Sequence, residues 1–124
     1  MAKILLIDDS TDLRAITAKV LKLDGHEVKV AADGREGLAS ILAETPDLIL
    51  TDLQMPELDG ASMLEVVRSY LRITAPVVVL TAIEDGPLID RIRAQKVNAI
   101  LVKGKAAPAD ILAAVKEALV SLPT

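Results

Sequence analysis

The sequence predicts a doubly wound α/β sandwich of five parallel strands. Three observations carry the prediction. Short apolar runs alternate with segments of helical period, β then α, five times along the chain. Four of the runs are continuously apolar, as strands covered on both faces are. The chain has 124 residues, is 52% hydrophobic and contains no cysteine, so one domain with an aliphatic core and no disulfide suffices. We take 1–124 as one domain, since Gly and Pro are scattered singly and no linker or repeat interrupts it.

The elements follow in order. Ile4-Leu5-Leu6-Ile7 reads as the first strand. Leu13, Ile16, Val20 and Leu21 form the apolar stripe of a first helix, closed near Asp24-Gly25. His26-Glu27-Val28-Lys29-Val30 alternates, as an edge strand with one wetter face does. Leu38, Ile41 and Leu42 mark a second helix, stopped by Pro46. Leu48-Ile49-Leu50 is the third strand, and Met63, Leu64, Val67 and Leu71 the stripe of the third helix. Val77-Val78-Val79-Leu80 is the fourth strand, followed by a short helix with Leu88, Ile89 and Ile92 inward. Ile100-Leu101-Val102 is the fifth strand. A last helix after Pro108 buries Ile111, Leu112, Val115 and Leu119. Right-handed crossovers then give the doubly wound form.

Composition excludes several functions. Aromatic residues make up 1%, a single tyrosine, Tyr70. Stacking platforms for single-stranded nucleic acid and rings around a flavin are therefore absent. A net charge of −4 argues against binding a nucleic-acid backbone. No apolar run approaches the roughly 20 residues of a membrane span. The apolar start runs into Asp8-Asp9 too soon for a signal peptide. A soluble cytoplasmic protein with neither nucleic acid nor membrane as partner is the expectation.

In doubly wound sheets the chemistry lies past the carboxyl ends of the strands. Here those ends carry Asp8-Asp9, Thr51-Asp52, Thr81-Ala82 and Lys103. If the strands are parallel, three carboxylates, a hydroxyl and an ammonium converge. Two carboxylates about 4 Å apart repel by about 4 kcal/mol at an effective dielectric near 20. Lys103 offsets part of this, and a divalent cation would offset more. The donors are all hard oxygens, which suit Mg²⁺ with a phosphate oxygen in its shell. A carboxylate would then serve as nucleophile towards a phosphoryl group. A single Asp at a strand end is explained by capping or turn formation. Four such ends together are not, because Ser10, Thr11 and Asp12 can cap the first helix, and Asp52 precedes Leu53 rather than a helix start.

Ile4-Leu5-Leu6-Ile7-Asp8-Asp9, Ala31-Ala32-Asp33-Gly34, Asp52-Leu53-Gln54-Met55-Pro56-Glu57-Leu58-Asp59-Gly60, Val79-Leu80-Thr81-Ala82 and Leu101-Val102-Lys103 form an ordered set. In this set the chain closely resembles the receiver domain of bacterial two-component response regulators, from Lys3 to about Leu122. The resemblance implies the flavodoxin-like (βα)5 sandwich with strand order 2-1-3-4-5. It implies Asp52 as phosphoacceptor, with Asp9, Asp52 and the backbone carbonyl of Gln54 around Mg²⁺ and Asp8 acting through a metal-bound water. Thr81 and Lys103 would contact phosphoryl oxygens. It implies a histidine kinase or histidine phosphotransfer protein as donor, and an output protein met by helix 4, strand 5 and helix 5. It also implies a switch rather than an enzyme, beyond self-catalysed phosphoryl transfer and slow autodephosphorylation. Pro56 and Gly60 read as shape, fixing φ and freeing the backbone. Gln54 and Ile83 sit where the family tunes water access, and Ile83 would hinder water.

Three positions depart from the family pattern. Ile100 stands where the family usually has a Tyr or Phe that swings inward with the Thr hydroxyl. It reads first as an edge-strand residue packing on helix 4. Gly104 stands where proline usually follows the lysine across a cis bond. Without proline that bond costs roughly 3–4 kcal/mol, so a trans or remodelled loop is expected. Lys96-Val97-Asn98 replaces the usual Gly-Ala pair. His26, the sole histidine, reads as a solvated turn residue away from the cleft, and Arg91 and Arg93 as solvated helix charges. A phosphatase with a strand-1 nucleophile would show Asp-x-Asp and a cap region. A pseudo-receiver would lack part of the acidic set.

Overall fold

β-branched and leucine runs form strands where both faces can be covered. In the computed structural model, which describes residues 2–120, they form β1 (Lys3–Ile7), β2 (Glu27–Ala31), β3 (Leu48–Thr51), β4 (Val77–Thr81) and β5 (Ala99–Val102). These make one parallel sheet of five strands in the order β2-β1-β3-β4-β5. Between them run α1 (Thr11–Leu23), α2 (Gly34–Ala43), α3 (Gly60–Glu65), α4 (Pro87–Arg93) and α5 (Pro108–Val120). The fold class and strand order are those expected. The end of the resemblance near Leu122 lies outside the described residues.

Alternate strand residues face two cores. On one side Leu5, Ile7, Ile49, Val77 and Val79 meet Ile41 of α2, Met63 and Leu64 of α3, and Ile89 and Ile92 of α4. On the other, Ile4, Leu6, Leu48, Leu50, Val78 and Leu80 meet Ala18 and Leu21 of α1 and Ile111, Val115 and Ala118 of α5. The central strands β3 and β4 are buried throughout, while β5, at the edge, is half-buried along its length.

Helix faces depart from the apolar stripes in two places. Helix α1 seats on Thr17, Ala18 and Leu21. Leu13 and Ile16 lie outward, 42% and 59% exposed. The small Thr17 and Ala18 let the helix approach the sheet closely, which turns the larger residues to its flank. In α2 likewise, Gly34, Gly37 and Ile41 face inward and Leu42 is exposed. A Cβ on Gly37 would lie 2.6 Å from the Ile7 side chain.

The third helix departs as well. After Glu65 it widens into a π-helical turn over Val66–Tyr70, closed by Leu71 N–H donating to the Val66 carbonyl at 2.9 Å. The half-buried Arg68 stands in this turn. Its Nη1 donates to the carbonyls of Ile73 and Ala75, both at 2.8 Å, and its Nε to Gln95 at 2.9 Å. Burial lowers the Arg68 pKa, and three carbonyls hold the guanidinium there.

The orientation of α1 is directly testable by urea unfolding. Leu21→Ala should cost about 2–5 kcal/mol, as for buried leucines. Ile16→Ala should cost under about 1 kcal/mol, since the side chain stays in water. Equal costs would show that α1 faces the sheet by its sequence stripe instead.

Candidate functional site

Strand register builds the site. Ile7 pairs with Thr51 across β1 and β3. The next residues, Asp8 and Asp52, therefore leave the sheet side by side. Thr51 pairs with Val79, so Thr81 stands further along β4. Thr81 pairs with Val102, and Lys103 follows. Backbone bonds hold these ends: Asp52 N–H to Ile7 at 3.0 Å, Asp8 N–H to Ala31 at 3.1 Å, and Lys103 N–H to Thr81 at 2.8 Å.

The structure brings Asp8, Asp9, Asp52 and Lys103 together, while Thr81 stands at the end of β4. Lys103 Nζ lies 2.8 Å from Asp52 Oδ2 and 3.0 Å from Asp8 Oδ2. Asp8, Asp52 and Thr81 are buried and Asp9 is exposed. Asp8, Asp9 and Asp52 each offer a carboxylate oxygen within 4.8 Å of the others. The second oxygens are held too. Leu53 N–H donates to Asp52 Oδ1 at 2.6 Å and Ser10 N–H to Asp8 Oδ1 at 2.9 Å. Asp52 is thus fixed in one orientation. Thr81 Oγ1 accepts from Ile83 N–H at 3.3 Å, which leaves its own proton to donate.

Electrostatics makes the cleft ready for a cation. At 4.8 Å two carboxylates repel by roughly 3–4 kcal/mol at an effective dielectric near 20. Three carboxylates face one ammonium, an excess of two negative charges. Burial of Lys103 opposes its charge, but the hydrogen bonds and attraction of Asp52 and Asp8 outweigh it, and its pKa is raised. The donors are carboxylate oxygens without nitrogen or sulfur, a set that could hold a hard divalent cation.

Other predicted residues sit around this centre. Gln54 is exposed, two residues past Asp52. Ile83 is half-buried and packs on the core shared by α2, α3 and α4. Ile100 is a half-buried edge-strand residue on the same core, which includes Ile89 and Ile92 of α4. There is no cis peptide bond among the described residues, and Gly104 has φ of 86°. Val102 accepts from both Lys105 and Ala106 N–H at 3.0 Å, so a turn replaces the proline. Gly60 is required by proximity rather than by free backbone: a Cβ there would lie 2.2 Å from the Asp52 carbonyl.

One expectation on charged residues needs correction. His26 lies away from the cleft but is not solvated. Its side chain is only 11% exposed, and Nδ1 accepts from Ala2 N–H at 3.3 Å. Arg91 is exposed on α4, as read, and is paired there at the surface. Its Nε donates to Glu65 of α3 at 2.9 Å, and the pairing raises its pKa. The sequence reading also missed Arg14, whose Nη1 donates to the Asp8 carbonyl at 2.7 Å. An arginine early in α1, just after the acidic pair, is the signal that points to it.

Fold and site together define a flavodoxin-like α/β protein with an acidic, lysine-bearing cleft at the carboxyl edge of its sheet. The chain belongs to the response regulator receiver domain family, whose model matches residues 4–116. That family is regulatory rather than one of conventional enzymes. The chain is 38% identical over 104 residues to the gliding motility regulatory protein of Myxococcus xanthus, covering 83% of this chain and 13% of that one. It is 38% identical over 97 residues to the probable transcriptional regulator ycf27 of Cyanophora paradoxa, covering 78% and 39%. It therefore spans well under half of these curated relatives. Among solved structures, the Vibrio cholerae chemotaxis protein CheY4 superposes with a TM-score of 0.87 at 32% identity, over 96% of this chain and 99% of that one. A CheY-like receiver domain protein from Methanospirillum hungatei gives 0.90 at 30% identity, over 97% and 94%.

Lys103 should stabilise the cleft most when no cation is bound. Lys103→Met should lower stability by about 1–3 kcal/mol without divalent cation, and added Mg²⁺ should restore most of the loss. The Lys103 pKa is raised on folding. Its contribution is then fully present below its unfolded pKa of about 10.4 and is lost as pH rises through the higher folded value. The gap between wild type and variant should stay flat from neutral to mildly alkaline pH and close only beyond that. Closure near neutral pH would refute the bridge.

Proposed function

We propose that this chain is a phosphoacceptor switch of two-component signalling, phosphorylated on Asp52 in the cytoplasm by a histidine kinase or histidine phosphotransfer protein. One observation carries the reading: Lys103 Nζ bridges Asp52 and Asp8 at the carboxyl edge of the sheet. An oxygen of the Asp52 carboxylate attacks the donor's phosphorus. The P–N bond to the donor histidine breaks, and the imidazole nitrogen keeps the electron pair. Asp52 is held for this by the Leu53 N–H. Lys103 passes from the Asp52 carboxylate to a phosphoryl oxygen, and Thr81 donates its hydroxyl proton to another.

The carboxylates of Asp8, Asp9 and Asp52 fit a hard cation such as Mg²⁺; Asp9, Asp52 and the Gln54 carbonyl would hold it, and Asp8 would act through a bound water. When bound, Mg²⁺ neutralises the charge on the transferring oxygens. The output would pass through α4, β5 and α5. Ile100 gives that face no swinging ring, so partner affinity would change through loop and helix shifts around Thr81.

Incubation with Mg²⁺ and acetyl phosphate should add one phosphoryl group, stable in acid and labile in base. Asp52→Asn should abolish it, and chelation of the metal should suppress it. Equal labelling of Asp52→Asn would overturn the assignment of the acceptor. Absence of labelling from every donor would favour a pseudo-receiver.

A further inference from the structure

A groove of about 560 Å³ runs between α1 and the edge strand β2, apart from the cleft. Its apolar lining is Ala15, Ala18, Leu23 and Val30, and its charged residues are Arg14, Lys19 and Lys22. No carboxylate lines it, although the chain as a whole carries −4. The groove between β5 and α5 differs, since it mixes Lys105 with Asp110 and Glu117. Neither Lys19 nor Lys22 is in an ion pair among the described residues. Arg14 spends one donor on the Asp8 carbonyl, which ties the end of the groove to the backbone of the cleft. Lys29, on the opposite face of β2, pairs with Glu44 and takes no part.

Two of the apolar residues are strongly exposed: Leu23 at 79% and Val30 at 52%. Strand β2 pairs with β1 alone, so the open side of the groove is a sheet edge. An extended chain fits such an edge, with alternate side chains pointing into the groove. Cations without acids on the rim select negative charge, and an apolar floor selects aliphatic side chains. We propose that the α1–β2 groove docks an extended acidic segment of a partner protein, with apolar residues at alternate positions. The surface lies away from the α4, β5 and α5 face, and its use does not depend on whether Asp52 accepts a phosphoryl group.

A labelled peptide of alternating Glu and Leu is the probe, and its Lys-Leu counterpart the control. NMR titration of the full chain should shift amides of Thr11–Leu23 and Val30, and binding should weaken as salt rises. Reversing two rim charges in Lys19→Glu/Lys22→Glu should weaken binding more than about tenfold. Unchanged far-UV circular dichroism would establish that this variant is folded. Lys19→Gln/Lys22→Gln should fall between it and wild type. Shifts centred on α4, β5 and α5, equal binding of the Lys-Leu peptide, or no binding at all would overturn the proposal. So would capture by phosphatidylserine vesicles, dependent on Lys19 and Lys22, where the peptide fails.

Discussion

Three carboxylates within 4.8 Å of one another are the constraint around which the molecule is arranged. Left alone they would repel by several kcal/mol, a large part of a small domain's net stability. The chain holds them by backbone order rather than by charge alone. Two of them end adjacent strands in register, and each has one oxygen fixed by a backbone N–H. Lys103, carried in by the edge strand, joins the remaining oxygens. Because one ammonium cannot balance three carboxylates, the cleft stays negative and ready for a cation. The same imbalance that costs stability makes the site usable.

That arrangement explains why the loops around the cleft are tight. Gly60 sits where any side chain would strike the Asp52 carbonyl, and its N–H donates to Leu53 at 2.8 Å. Asp59 then caps α3 through the Ser62 N–H at 2.7 Å. The start of α3 is thereby bound to the end of β3. Arg91 of α4 in turn holds Glu65 at the end of α3. A chain of polar contacts runs from the loop after Asp52 through α3 to α4 without an aromatic residue.

Strands and site were legible in the sequence for one physical reason. A parallel sheet buries its strands on both faces, so they read as unbroken apolar runs, and the residue after each run lands on one edge. Asp8, Asp52, Thr81 and Lys103 could be named from that rule. Helix faces were less legible, because apolarity is not the same as closeness to the sheet. Thr17, Ala18 and Gly37 face inward because they are small, and Leu13, Ile16 and Leu42 are displaced outward. The π-helical turn was hidden altogether. It carries Arg68, whose three carbonyl partners lie 5, 7 and 27 residues away in sequence. His26 was misread for the same reason: its partner Ala2 comes from elsewhere in the fold.

The departures from the family pattern now form one physical picture. Gly104 takes a φ of 86°, which only glycine adopts without strain, and lets Val102 accept two N–H groups in a compact turn. The turn keeps Lys103 on its carboxylates without a proline. Upstream, Lys96 accepts a φ of 58°, at a cost of about 1 kcal/mol for a residue with a Cβ. Asn98 answers by pairing both ways with Val77, its N–H donating at 2.8 Å and its Oδ1 accepting at 3.0 Å. Both ends of β5 are clamped to β4, one by Asn98 on Val77 and the other by the Lys103 N–H on Thr81. Between the clamps, Ile100 packs on the core shared by α2, α3 and α4. An aliphatic side chain set in that cluster has no large, flat alternative position. Under the proposed switch, movement at Thr81 would reach the surface through the β4–α4 loop and α4, because β5 is held at both ends.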